Sequence, residues 1–108
     1  MSDAQQRIDE LVKSNDVLLF MKGNASFAMC GFSGRAIQIL KAVGVDTRAL
    51  KTVNVLEDDG IRQGIKEYSQ WPTIPQLYVN GEFIGGSDIM MEMYESGELQ
   101  QVVNSKTA

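Results

Sequence analysis

The segment Val17-Leu18-Leu19-Phe20-Met21 is an unbroken apolar run between polar flanks, too short for a helix of its own. Such a run is a strand that is apolar on both faces, so it demands cover above and below, and a sheet with helices on both sides supplies that. The flanking residues agree. Ser2-Asp3-Ala4-Gln5 has the form of a capping box, and Ala4, Ile8, Leu11 and Val12 recur at helical spacing, predicting a first helix that ends near Ser14-Asn15. After Lys22-Gly23, a loop from Asn24 to Met29 leads to Cys30. Beyond it Phe32, Ala36, Ile39, Leu40 and Val43 mark one face of a second helix, with Gly44 as its C-cap.

Leu50 to Leu56 alternates around Val53 and Val55 and reads as a second strand, joined to the first by a right-handed parallel crossover. Asp58-Asp59 then opens a third helix through Ile61, Ile65 and Tyr68, with acidic residues at its positive end. Trp71-Pro72-Thr73-Ile74-Pro75 breaks that helix. Gln76 to Val79 and Glu82 to Ile84 flank Asn80-Gly81, a strong two-residue hairpin signal. Gly85-Gly86 leads to Ser87-Asp88, read as an N-cap pair for a helix carrying Ile89, Met90, Met93 and Tyr94 and stopped at Gly97. Met90, Met91 and Met93 read as core filling. A short last helix, about Glu98 to Val103, precedes a polar tail expected to fray. The expected fold class is therefore α/β, a four-stranded mixed sheet flanked by helices on both faces, in one domain over 1–108 with an ordered core from about 3 to 103.

A net charge of −4, with ten Lys and Arg placed singly, argues against a nucleic-acid footprint or an anionic-membrane patch. No apolar stretch reaches membrane-spanning length, and Met1-Ser2-Asp3-Ala4-Gln5-Gln6 does not resemble a secretory signal. The expected location is the cytoplasm, or an organellar matrix. The chain has one cysteine and no histidine, so neither a disulfide scaffold nor a zinc site can be built from it alone.

That cysteine stands in Cys30-Gly31-Phe32-Ser33, a CxxC pattern with serine in the second position. A chain with one thiol cannot close an internal disulfide, so a sulfur from another molecule must complete whatever Cys30 does. At a helix N-terminus, unpaired N–H groups and the helix dipole favour thiolate, and Lys22 adds positive charge; a reactive thiol is the preferred reading over a buried inert one. Pro75 is read as cis because of the motif it accompanies, leaving the Ile74 backbone open to an extended thiol peptide; a trans proline that starts a strand is the alternative. Gly85 to Asp88 is either a plain helix start or a receiver for a carboxylate, with Asp88 meeting an amine. Lys22 and Arg62 suit a second carboxylate, although Arg62 alone also reads as a solvated surface residue.

Met21-Lys22-Gly23, the Cys30 motif, Trp71 to Tyr78 and Gly85 to Ile89 together resemble the monothiol glutaredoxins of the CGFS type, over about Asp3 to Val103. The resemblance implies a thioredoxin-like fold, a cis Pro75, and glutathione held by Lys22, Arg62, Ile74, Pro75, Ser87 and Asp88. It also implies a 2Fe-2S cluster shared by two subunits, each giving Cys30 and one glutathione, and transferred to client apoproteins; a BolA-like protein is the implied heterodimer partner. Two departures stand out. The loop Asn24 to Met29 lacks the family's prolines, which predicts greater mobility, and Ser87 replaces a second cysteine found in many relatives.

Three functions share this site: a cluster carrier, preferred; a glutathione-dependent thiol-disulfide oxidoreductase with catalytic Cys30; and a thiol sensor without a cluster.

Overall fold

The computed structural model describes residues 2–46 and 50–104; the tail expected to fray lies beyond Asn104, outside the described residues. The elements, in chain order, are α1 (Asp3–Ser14), β1 (Val17–Met21), α2 (Gly31–Ala42), β2 (Lys51–Asn54), a 3-10 turn (Val55–Glu57), α3 (Asp59–Ser69), β3 (Gln76–Val79), β4 (Glu82–Gly85), α4 (Ser87–Ser96) and α5 (Glu98–Asn104). The sheet order is β2-β1-β3-β4. β1 runs parallel to β2 and antiparallel to β3, and β4 is antiparallel to β3.

The apolar run at β1 sits at the centre of this sheet and feeds two cores. Leu19 and Met21 point into one, with Ala36, Ile37 and Leu40 of α2, Met90 of α4 and Leu99 of α5. Leu18 and Phe20 point into the other, with Ile8 and Val12 of α1, Ile61 and Ile65 of α3, and Tyr78. The period-2 alternation of strand side chains divides one segment between two layers. All four of these β1 side chains are fully buried, each contributing about 1.5–3 kcal/mol. Met90 is buried and Met91 and Met93 pack against the same core, as core filling requires.

Local chemistry shifts several boundaries. The Ser2 hydroxyl accepts from the Gln5 N–H at 3.2 Å, but Gln5 does not complete a capping box: its Nε2 donates to the Gly64 carbonyl at 2.8 Å and ties α1 to α3. A side chain at Gly64 would press on Ile8 and Ala4, so the two helices pack closely there. The C-cap of α2 is Val43 and not Gly44; Gly44 follows it, donating to the Lys41 carbonyl while Val45 donates to that of Leu40, a Schellman arrangement. The second strand stops at Asn54, short of Leu56. Asn54 Oδ1 accepts from Leu56 N at 3.0 Å, which winds Val55–Glu57 into a turn.

Asn80 and Gly81 both have positive φ, 54° and 83°, the conformation a two-residue hairpin needs and Asn-Gly tolerates. β4 carries a bulge: Leu77 faces Gly85 and Tyr78 faces Phe83, leaving Ile84 as the extra residue. Helix α4 is not capped by the Ser87-Asp88 pair. Extended Gly86 is its N-cap and gives no side-chain cap; Ser87 and Asp88 are the first helical residues, and the first turn closes with Met90 N on the Gly86 carbonyl at 2.9 Å.

Candidate functional site

Cys30 is the N-cap of α2, with extended backbone at φ −154° and ψ 157°. Its sulfur takes the place of the usual capping oxygen, accepting from the Ser33 N–H at 3.3 Å. Ser33 is wholly buried, and its hydroxyl serves two neighbours: it accepts from the Lys22 N–H at 3.1 Å and lies 3.3 Å from the sulfur. A thiol donates to that oxygen. A thiolate receives the hydroxyl proton while the Lys22 N–H stays bound. Burial by itself pushes the Cys30 thiol up, but the Ser33 hydroxyl, the Ser33 and Phe32 N–H groups and the Lys22 charge outweigh it, and Cys30 is held below the usual thiol range.

The proline-free loop before Cys30 is closed by hydrogen bonds of its own. Asn24 N donates to the Phe27 carbonyl at 3.0 Å, and Phe27 N returns the bond at 3.1 Å. The Asn24 side chain accepts from Ser26 N and Phe27 N at 2.9 and 2.8 Å, and Met29 N donates to the Lys22 carbonyl at 2.9 Å. The Asn24 carboxamide thus holds the turn. Gly23, at φ 93°, makes this possible, since a Cβ there would fall 2.3 Å from the Phe27 carbonyl. Asn54 Oδ1 accepts from the Gly23 N–H at 3.0 Å and anchors the loop to the end of β2. Phe27, Met29 and Phe32 are exposed around the cysteine.

Beside α2 lies a cleft of about 230 Å³. Phe32 walls it from α2; Trp71, Thr73, Ile74 and Pro75 come from the α3–β3 connection, and Gly86 to Ile89 from the start of α4. The Ile74-Pro75 bond is cis. The Ile74 backbone takes part in none of the described hydrogen bonds. Ser87 Oγ and Trp71 Nε1 are buried without partners among the described residues. Gly86 leaves room that a side chain would fill, for a Cβ there would sit 3.2 Å from the Pro75 carbonyl and 3.3 Å from Trp71 Nε1. Asp88 is largely exposed and stands 4.0 Å from Arg35 of α2.

Of the residues singled out in the sequence, Ile74, Pro75, Ser87 and Asp88 share the cleft, and Cys30 stands two residues before its wall at Phe32. Lys22 adjoins Cys30 through Ser33. Arg62 lies on α3, outside the cleft wall and without an ion pair among the described residues. Phe32 and Trp71, which supply apolar wall, and Arg35, which faces Asp88, carried no functional assignment in the sequence reading. The position of Arg35 five residues after Cys30, early in α2, is the one sequence signal that points to it.

The glutaredoxin family model matches residues 17–84, from β1 to β4. A Synechocystis protein described as an uncharacterized monothiol glutaredoxin, ycf64-like, is 55% identical over 101 residues, covering 94% of this chain and 92% of its own. The solution structure of reduced poplar apo GrxS14 superposes with a TM-score of 0.79 at 50% identity, covering 94% of this chain and 90% of that one. A crystal structure of a buckwheat glutaredoxin-glutathione complex gives 0.81 at 25% identity, covering 94% and 88%. The sheet and its helices are thus the thioredoxin-like fold, and with a lone thiol, Cys30, capping α2 as the first residue of a CxxC pattern whose second cysteine is Ser33, the chain belongs to the glutaredoxin family, as a monothiol member.

Proposed function

We propose that the cleft and Cys30 bind glutathione, and that two protomers with two glutathiones hold a 2Fe-2S cluster as cargo for client apoproteins. The observation that carries this reading is a single activated thiol beside a cleft containing an orphaned buried hydroxyl, Ser87 Oγ, at an α4 N-terminus that no side chain caps. Glutathione has two carboxylates, an amine and a thiol. The Ser87 hydroxyl and the α4 N–H groups suit one carboxylate, Asp88 the amine, the free Ile74 backbone the cysteinyl unit, and Lys22 and Arg62 the second carboxylate. The buckwheat relative, solved as a glutathione complex, supports the same choice of ligand.

Bound glutathione supplies the second thiolate that this chain lacks. Iron–sulfur clusters of this size are commonly held by four thiolates, and one Cys30 and one glutathione from each protomer make that number. Because half of these ligands diffuse, the cluster is exchangeable, as a carrier requires. Exposed Phe27, Met29 and Phe32 around Cys30 supply apolar surface for the second protomer or for a BolA-like partner. The protein acts in the cytoplasm or an organellar matrix.

The lowered Cys30 pKa favours a second reading on the same site, glutathione-dependent thiol-disulfide exchange. Cys30 thiolate attacks the glutathione sulfur of a mixed disulfide and displaces the client thiolate. A second glutathione thiolate then releases oxidised glutathione and restores Cys30, since Ser33 offers no sulfur for that step.

Anaerobic incubation with iron, sulfide and glutathione tests the preferred reading. A brown dimer that becomes a colourless monomer when glutathione is removed supports it; a colourless monomer throughout contradicts it.

A further inference from the structure

Gln76 opens β3 with a polar side chain that is wholly buried, directly after Pro75. Its Nε2 donates to two carbonyls of the preceding connection, Trp71 O and Thr73 O, each at 3.0 Å. The other end of that connection is held as well: Trp71 N donates to Ser69 Oγ at 3.1 Å, and Ser69 Oγ bonds the Ile65 carbonyl at 2.8 Å. The Trp71 ring rests on Phe83 at 5.8 Å between centroids. The segment so fastened supplies Trp71, Thr73, Ile74 and Pro75 to the cleft wall.

We infer that Gln76 is a positioning residue for ligand binding, a buckle that holds the Trp71–Pro75 segment in the shape that presents the Ile74 backbone and the Trp71 wall to glutathione. The inference rests on the glutathione reading above and extends it to a residue that does not line the cleft. The buckle acts on the connection and not on the sheet. Gln76 uses only its donor half, and its Oε1 is buried without a partner among the described residues. Packing alone does not call for an amide here, because an apolar side chain of the same length would fill the space and remove that orphan acceptor. Two carbonyls pulled toward one nitrogen do call for it. Thr73 is exposed and Trp71 half-buried, so water takes over both carbonyls once the nitrogen is gone, and a variant keeps its fold while the segment loosens.

The test compares wild type with Gln76→Met. Trp71 is the only tryptophan, so its fluorescence reports titration of the cleft with glutathione. If the loosened segment holds the competent shape about a tenth of the time, the apparent Kd rises about tenfold. The pH profile of Cys30 alkylation stays unchanged, because Ser33 and Lys22 are untouched. Equal glutathione affinity in both proteins, or a Cys30 profile that moves together with affinity, overturns the inference. A second measurement needs no variant: the Gln76 side-chain amide protons of the free protein exchange slowly with solvent, and exchange as fast as an open amide also overturns it. Slow exchange with no response of wild-type Trp71 to glutathione counts against the glutathione reading and leaves the buckle standing.

Discussion

Replacing Ser33 with alanine removes one buried oxygen and so disturbs two groups at once. The first is the Cys30 thiolate, 3.3 Å away. Hydrogen bonds to charged groups contribute about 1.5–3 kcal/mol, and a long bond to a partly exposed sulfur belongs at the low end. At about 1.4 kcal/mol per pKa unit, Ser33→Ala raises the Cys30 pKa by about one unit. The second is the Lys22 N–H, which loses its 3.1 Å acceptor. An orphaned, half-buried N–H costs about 1 kcal/mol, which lowers Tm by about 4–8 °C in a domain of this size. The thiolate also ties stability to pH. Cys30 is lowered in the folded chain, so its contribution is complete above the unfolded thiol value, about 8.5, and is lost as pH falls through the folded value. Ser33→Ala narrows that window from below, and Cys30→Ser abolishes it. The assay is ultraviolet absorbance of the thiolate across pH, with alkylation by iodoacetamide as an independent measure. Below both pKa values the thiolate fraction falls about tenfold, partly offset by the greater nucleophilicity of the more basic thiolate, so alkylation of Ser33→Ala is about threefold slower than wild type. An unchanged titration refutes the argument that the Ser33 hydroxyl stabilises the thiolate.

Gly23→Ala places a methyl against the Phe27 carbonyl in a left-handed conformation; it costs more than about 2 kcal/mol in urea unfolding and speeds amide exchange at Phe27 and Met29. Gly86→Val fills the space beside Pro75 O and Trp71 Nε1, and the Kd for glutathione by calorimetry rises at least about tenfold, with Cys30 alkylation unchanged. Tyr68 is pushed up to about 12, by burial first and then by its 2.8 Å bond to Asp9. Its contribution to stability is whole below about pH 10 and is lost as pH rises toward 12, so Tyr68→Phe flattens the alkaline part of a urea-midpoint profile.

The features legible in the sequence are those carried by neighbours along the chain. The β1 run, the Asn80-Gly81 turn, and Cys30 at a helix start each depend on a few consecutive residues, and the structure has all three. Boundaries failed where a side chain served a distant partner. The capping-box pattern assigns Gln5 to its own helix, but it bonds Gly64, and Asn54, mid-strand by its alternation, ends β2 while holding Gly23. In the loop before Cys30 the sequence shows only that prolines are absent; that the Asn24 carboxamide closes the turn with two short bonds depends on the folded backbone. The cleft could be read only in part. Pro75, Ser87, Phe32, Trp71 and Gly86 all lie in motifs, but that they form one surface shows only when α2, the α3–β3 connection and α4 meet. Gln76 was hidden most completely, as a polar residue in a strand normally signals solvent and here signals two buried carbonyls.

The central claim is that one Cys30 and one glutathione per protomer supply the cluster's ligands. The measurement is the ratio of protein, iron, acid-labile sulfide and radiolabelled glutathione in the brown species isolated by anaerobic gel filtration, for wild type and for Cys30→Ser. The account predicts, per dimer, one 2Fe-2S cluster and two glutathiones in wild type, and none of either cluster or colour in Cys30→Ser. A cluster that is isolated without glutathione, or one that survives in Cys30→Ser, contradicts it.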